Sequence, residues 1–253
     1  MLQKNYDIGK NKKKSIDVIA FIPARSGSKS IKDKNIKPLD GKPLLAWSIE
    51  TCKKSKYIKK IIVSTDSEKY SKIALKYGAT DVIKRPKKIS GDKSTDYQAL
   101  IHAIKSLKFL NFDFIAHIRP TTPIRKVKEI DKAILLFSKG KYTSLRSVQE
   151  MPESAYKTFE ISKKNLLKPI CNIKNNIDYF NRPRQSFKKT FAANGLIDIY
   201  KKEHLIRKKN LFGSKVLAYK TSFAHEIDSL EQFMYLNLIL KNKKNNENKS
   251  NKN

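Results

Sequence analysis

Between Ile22 and Asn35 the chain reads Ile-Pro-Ala-Arg-Ser-Gly-Ser-Lys-Ser-Ile-Lys-Asp-Lys-Asn. Arg25, Lys29 and Lys34 recur there at intervals of four and five residues, beside a Gly/Ser turn that can present backbone N–H groups to an anion. That combination suits a polyphosphate. Two commoner phosphate loops fail on spacing. A Walker loop needs a Gly five residues before the Gly of its Gly-Lys pair, but Ile22 stands there and Gly27 is followed by Ser28; the dinucleotide fingerprint needs several glycines where this turn has Gly27 alone. The bland alternative is an exposed basic loop.

Glu226-Ile-Asp228 sets two carboxylates at alternate positions, hence on one side of an extended segment. Such a pair suits a hard cation such as Mg²⁺, which takes oxygen ligands and bridges to phosphates. Asp228 or Ser229 also reads as the N-cap of the helix that follows. The run from His117 to Arg125, HIRPTTPIR, begins as a strand and breaks at Pro120, which leaves its side chains at a strand's carboxyl end, where a ligand would lie. Asp66, closing the strand-like IIVSTD, reads as a capping or structural acid. Cys52 and Cys171 have neither metal-ligand spacing nor the density of a disulfide framework, so both read as inert reduced thiols.

These residues need a scaffold, and the hydropathy pattern supplies one. Apolar runs such as DVIAFIPA, KKIIVSTD, DVIKRP and FDFIAHIRP read as extended segments. Helix-patterned stretches alternate with them: KPLLAWSIETCKKS, SEKYSKIALKYG, TDYQALIHAIKSL capped by Thr95 or Asp96, and KVKEIDKAILLFSKG ending at Gly140. This alternation implies an α/β fold, a mostly parallel sheet covered on both faces in three Rossmann-like layers, with ligands at the strands' carboxyl ends. The last strand before a break in the rhythm is YTSLRSVQ; the break runs from about residue 150 to 190, and the rhythm returns with GLIDIY, KVLAYKT and SLEQFMYLNLIL. Residues 1–14 and 241–253 read as disordered basic tails around a domain of residues 15–240.

The segment PARSGSKSIKDKNIKPLDGKPLLAWSIE resembles the N-terminal signature of the acylneuraminate (sialic acid) cytidylyltransferases. The similarity continues in STDSEKYSKIALKYGA, RPKKISGDKSTD, HIRPTTPIR, NRPRQSFKKTFAANGLIDIY and HEIDSLEQF. It implies a fold of the nucleotide-diphospho-sugar transferase type. The implied reaction transfers CMP from CTP to the anomeric hydroxyl of a nine-carbon 3-deoxy-2-ulosonic acid and releases pyrophosphate with Mg²⁺ as cofactor. The resemblance puts Ala24, Arg25, Ser28, Lys29, Lys34, Asn35 and Arg85 around the nucleotide, with Arg25, Lys34 and Asp228 as catalytic groups and Asp228 with Glu226 on the metal. Arg119, Thr121, Arg184 and Gln185 fall to the sugar acid. Familiar members carry glutamine where this chain has Arg119, whose planar fork suits a carboxylate bidentately. That departure keeps pseudaminic, legionaminic and eight-carbon Kdo-type acids open as substrates. The 150–190 stretch matches a small inserted dimerisation arm that carries Arg184-Gln185 to the other subunit of a homodimer, and Asn194-Gly195 matches a tight turn before a strand.

Composition adds exclusions. The chain has 253 residues, 55 Lys+Arg against 23 Asp+Glu, and a formal charge of +32. Such charge admits a basic nucleic-acid-binding protein as the alternative of another class. Yet only eight of the 55 basic residues are Arg, the two tails carry +8, and no nucleic-acid motif occurs, so a nucleic-acid partner is not expected. No apolar run reaches the roughly 20 residues a membrane span needs, and the N-terminus lacks a signal's apolar stretch; a cytoplasmic enzyme without a membrane partner is the expectation.

Overall fold

In the computed structural model, which describes residues 16–171 and 176–250, β1 (Val18–Pro23) is buried along both faces. A short ribbon of β2 (Pro38–Leu39) and β3 (Lys42–Pro43) leads into α1 (Leu44–Lys53), followed by β4 (Ile58–Thr65), α2 (Glu68–Tyr77) and β5 (Asp81–Lys84). After α3 (Asp96–Ser106), β6 (Phe114–His117), α4 (Val127–Ser138) and β7 (Ser144–Glu150) comes an excursion holding the hairpin β8 (Phe159–Ile161) and β9 (Leu167–Pro169). The chain returns through β10 (Phe191–Lys201), α5 (Lys202–Lys208), β11 (Val216–Lys220) and α6 (Leu230–Ser250).

The seven-stranded sheet has the order β11-β7-β10-β6-β1-β4-β5. Only β10 runs against its neighbours β6 and β7; the other pairings are parallel, as the βαβ rhythm requires. Side chains alternate across β1. Val18, Ala20 and Ile22 pack with Ile49, Ala74 and Phe137 of α1, α2 and α4, while Ile19 and Phe21 pack with Leu100 of α3 and Leu205 of α5. Burying each of these larger side chains is worth about 1.5–3 kcal/mol. A third cluster, Ile31, Leu39, Leu44, Ile227, Phe233 and Leu236, fastens α6 beside the loop after β1.

The excursion between β7 and β10 matches the break read from the sequence. Two expectations need correction. The strand expected from Gly195 begins at Phe191, and Asn194-Gly195 lies inside it. Pairing with β7 is regular at Ala193↔Val148 and resumes at Asp198↔Arg146, so β10 bulges between them, with Gly195 at φ 64°. The tail expected from residue 241 is helical through Ser250, because extending an existing helix adds a hydrogen bond per residue without a new nucleus. The N-terminal tail lies outside the described residues, as do 251–253. Among the described residues no helix is long and apolar enough to cross a membrane.

Candidate active site

Strand β1 ends where the basic loop begins, at the carboxyl edge of the sheet. The loop is gripped from β4: Asp66 accepts hydrogen bonds from Ser26 N–H and Ser26 Oγ, each at 2.8 Å. Asn35, nearly buried, donates from Nδ2 to the Arg25 carbonyl at 3.0 Å and closes the loop on itself. Asp33 stands in the left-handed region at φ 54°, where the Tyr70 hydroxyl donates to its carboxylate at 2.9 Å. The next residue, Lys34, starts a single 3₁₀ turn and reaches the Ile227 carbonyl at 3.1 Å and Asp228 Oδ1 at 3.4 Å.

A cleft of about 410 Å³ opens above these elements, lined by Arg25, Ser28, Lys29, Lys34, Asn35, Arg85, Asp96, Arg119 and Thr121 among others. Eight of the residues singled out in the sequence therefore meet in one place. Ala24 does not present a side chain there; it is fully buried, and its N–H continues the strand pairing to Ser64 O at 2.9 Å. Arg85 is anchored to Ser64 through Nε at 3.1 Å and Nη2 at 3.0 Å, and burial holds its pKa below the usual arginine value.

Arg119 departs from expectation. Nη1 donates to Asp198 at 2.7 Å and Nη2 to Asp96 at 2.9 Å, so the fork expected to clamp a ligand carboxylate is committed to two protein carboxylates. Burial opposes its charge, but Asp198 and Asp96 raise its pKa above the normal arginine value. Each terminal nitrogen keeps one further N–H for a ligand. Behind it, His117 lies fully buried against Phe21 and Tyr200; burial and then Arg119 pull its pKa down to about 3, so it is neutral. Arg125 ties the floor together, donating to the carbonyls of Leu196 at 2.7 Å, Arg119 at 2.6 Å and Gly195 at 3.2 Å, with burial pulling its pKa down to about 9.

Thr122 is fully buried rather than cleft-lining; its hydroxyl faces the Asn194 carbonyl at 3.4 Å. At the cleft's other edge, Glu226 and Asp228 follow β11. Burial and then Asp228 raise the Glu226 pKa, while the Asp228 side chain is 68% exposed. The cap of α6 is made by Ser229 and Gln232 reciprocally, at 3.0 and 3.3 Å, which leaves the Asp228 carboxylate to Lys34. Among the described residues no group of three or more His, Cys, Asp or Glu could hold a metal, so any cation here rests on this pair plus a ligand's oxygens.

Arg184 and Gln185 are not in this cleft. They line a separate hollow of about 390 Å³ on the excursion, where Arg184 donates to Glu150 at 3.1 Å. A larger cavity, about 610 Å³, lies near the start of β6 against Ile16, Phe112 and Lys202, and gathers none of the candidate residues. Sequence reasoning missed Asp92, Asp198 and Arg125, saw Asp96 only as a cap candidate, and read Asp66 as a capping or structural acid, of which the structural role is the one found. Arg125 alone had a visible signal, a charge set among apolar and proline residues of HIRPTTPIR.

Comparison with known proteins gives this cleft a context. Residues 19–245 match the family model described as Cytidylyltransferase. The chain is 32% identical over 236 residues to N-acylneuraminate cytidylyltransferase of Escherichia coli O18:K1:H7, covering 91% of this chain and 53% of the relative. It is 28% identical over 232 residues to post-translational flagellin modification protein B of Campylobacter coli, covering 90% and 96%. The chain thus spans about half the length of the first of these relatives and nearly all of the second. A solved CMP:2-keto-3-deoxy-manno-octonic acid synthetase complexed with CTP shares the fold, with a TM-score of 0.68 at 12% identity over 90% of this chain and 99% of that one.

Proposed function

The chain belongs to the cytidylyltransferase family, and on that premise we propose that it transfers CMP from CTP to the anomeric hydroxyl of a 3-deoxy-2-ulosonic acid, releasing pyrophosphate. The observation that carries the reading is the convergence of Arg25, Ser28, Lys29, Lys34, Asn35 and Arg85 on one cleft beside Arg119 and Thr121. Nucleotidyl transfer asks a protein mainly to align attacking and leaving oxygens and to neutralise charge on the transferring phosphorus, and a cleft walled by fixed cations does both. Arg25, Lys29 and Lys34 take the triphosphate, with Asn35 and Arg85 toward the nucleoside.

The acid lies at the Arg119–Thr121 end. There the spare N–H groups of Arg119, held rigid by Asp198 and Asp96, orient the acceptor so that its hydroxyl meets the α-phosphorus in line. The oxygen donors of Asp228 and Glu226 fit Mg²⁺, which takes one or two carboxylates plus substrate phosphates. Bound there, the ion would supply charge neutralisation on the phosphate oxygens. A nine-carbon N-acylneuraminate-like acid is the first choice. The locked Arg119–Asp96 pair, where familiar relatives carry glutamine, favours as a second reading a pseudaminic, legionaminic or Kdo-type acid.

The reading includes a homodimer. The hairpin β8–β9 and its flanks expose Ile161, Leu166, Leu167 and Ile170, 56–72% open to solvent, on the segment that holds Arg184 and Gln185. Covering that face with a second copy would bring each chain's Arg184 and Gln185 toward the other's acid site.

Arg25→Ala tests the nucleotide assignment. CTP turnover is expected to fall at least about a hundredfold, the scale for losing one donor to developing charge, with an unchanged circular dichroism spectrum. Turnover within twofold of the parent in a folded variant would remove Arg25 from the reaction.

A further inference from the structure

The two outermost cations of the cleft already hold an anion. Arg25 Nη1 donates to Asp92 Oδ1 at 2.8 Å, and Lys29 Nζ stands 2.6 Å from Asp92 Oδ2, so one carboxylate bridges both. Asp92 sits in the turn that leads to Ser94, Thr95 and Asp96 of the cleft lining, 67 residues from Arg25 along the chain. Its turn is pinned at both ends. Ser90 Oγ donates to the Pro86 carbonyl at 2.9 Å, and Thr95 with Gln98 makes the capping box of α3. Between the pins, Ser94 N–H donates to the Gly91 carbonyl at 3.1 Å, and a Cβ built on Gly91 meets nothing within 4 Å, so open space flanks the turn. The hydrogen bonds from Lys29 and Arg25 keep the Asp92 carboxyl below the usual carboxylate range, hence ionised at neutral pH.

We propose that Asp92 sets the affinity threshold of the nucleotide site: its carboxylate acts as an internal anion that every phosphate ligand must displace from Arg25 and Lys29. The inference rests on the proposed nucleotide reading of the cleft. A tethered competitor divides the affinity of all displacing ligands by one factor, because only the fraction of molecules with the pair open can bind. Ligands with two or three phosphates, carrying several charges, remain bound after that reduction. Orthophosphate and nucleoside monophosphates, weak to begin with, fall below useful occupancy. After transfer the return of Asp92 would favour departure of both products.

The test is calorimetric titration of pyrophosphate, orthophosphate, CTP, ATP, GTP and UTP into the full chain and into Asp92→Asn, which keeps the side chain's shape without its charge. If the pair is closed in about nine molecules of ten, Asp92→Asn binds pyrophosphate about tenfold more tightly, and orthophosphate binding becomes measurable. An unchanged or weaker pyrophosphate affinity in the variant, or no binding to either protein, overturns the proposal. CTP separates the two layers: a parent chain that binds pyrophosphate but shows no preference for CTP over other triphosphates sinks the nucleotide reading, while the pyrophosphate comparison still decides the role of Asp92.

Discussion

Ser26 owes its position to two hydrogen bonds that it donates to a carboxylate 40 residues away, and the cations that follow it inherit that position. Bonds to a charged acceptor are worth about 1.5–3 kcal/mol each when intact. Asp66→Ala is therefore expected to lower stability by about 1–3 kcal/mol and to raise the KM for CTP more than it lowers kcat, read by urea unfolding and initial rates. An unchanged KM would mean that the loop holds its shape without Asp66. At this scale the sequence was half legible. Arg25, Lys29, Lys34 and Arg85 were visible because local spacing and motif carry them. The site roles of Asp92, Asp96 and Asp198 were not, because a carboxylate's partner is fixed by the fold, 67, 23 and 79 residues away in these pairs. The same blindness made Arg119 look like a free clamp.

The elements of the main sheet follow from hydropathy period, and their type and order were readable; the short pairs β2–β3 and β8–β9 were not. Nor were the irregularities of the main elements. The bulge in β10 is one such place: Gly195 sits at φ 64°, and an added Cβ would stand 2.8 Å from Thr122 Oγ1 and 3.2 Å from Glu226 Oε1. Both the backbone conformation and the close approach demand glycine. Gly195→Ala should cost about 1–3 kcal/mol through strain and crowding, roughly 2–12 °C in Tm for a chain of this size. Displacement of Glu226 should also raise the Mg²⁺ concentration needed for half-maximal rate. A variant with parental melting and metal titration would show that the bulge has slack and does not position Glu226. Asn-Gly in the sequence suggested a turn, because residues that tolerate positive φ look alike in turns and bulges until the neighbouring strand is known.

For the whole molecule, the feature that composition could not explain is the +32 charge; the cleft needs only a handful of those cations. The hairpin β8–β9 exposes Ile161 and Leu167 among Lys163, Lys164 and Lys168. Ile161→Asp with Leu167→Asp is expected to convert a dimer to a monomer in light scattering and to weaken acid binding, since Arg184 and Gln185 then lose the site they would complete. A parent chain that is monomeric at micromolar concentration would place those two residues outside the reaction.

The central claim, transfer of CMP to an ulosonic acid, is tested most directly by pyrophosphate release from CTP with Mg²⁺ against eight- and nine-carbon ulosonic acids, with ATP, GTP and UTP as controls. Release with CTP and at least one acid, and none with the other nucleotides, is the predicted result. Folded protein that releases no pyrophosphate from CTP with any acid of the panel would contradict it.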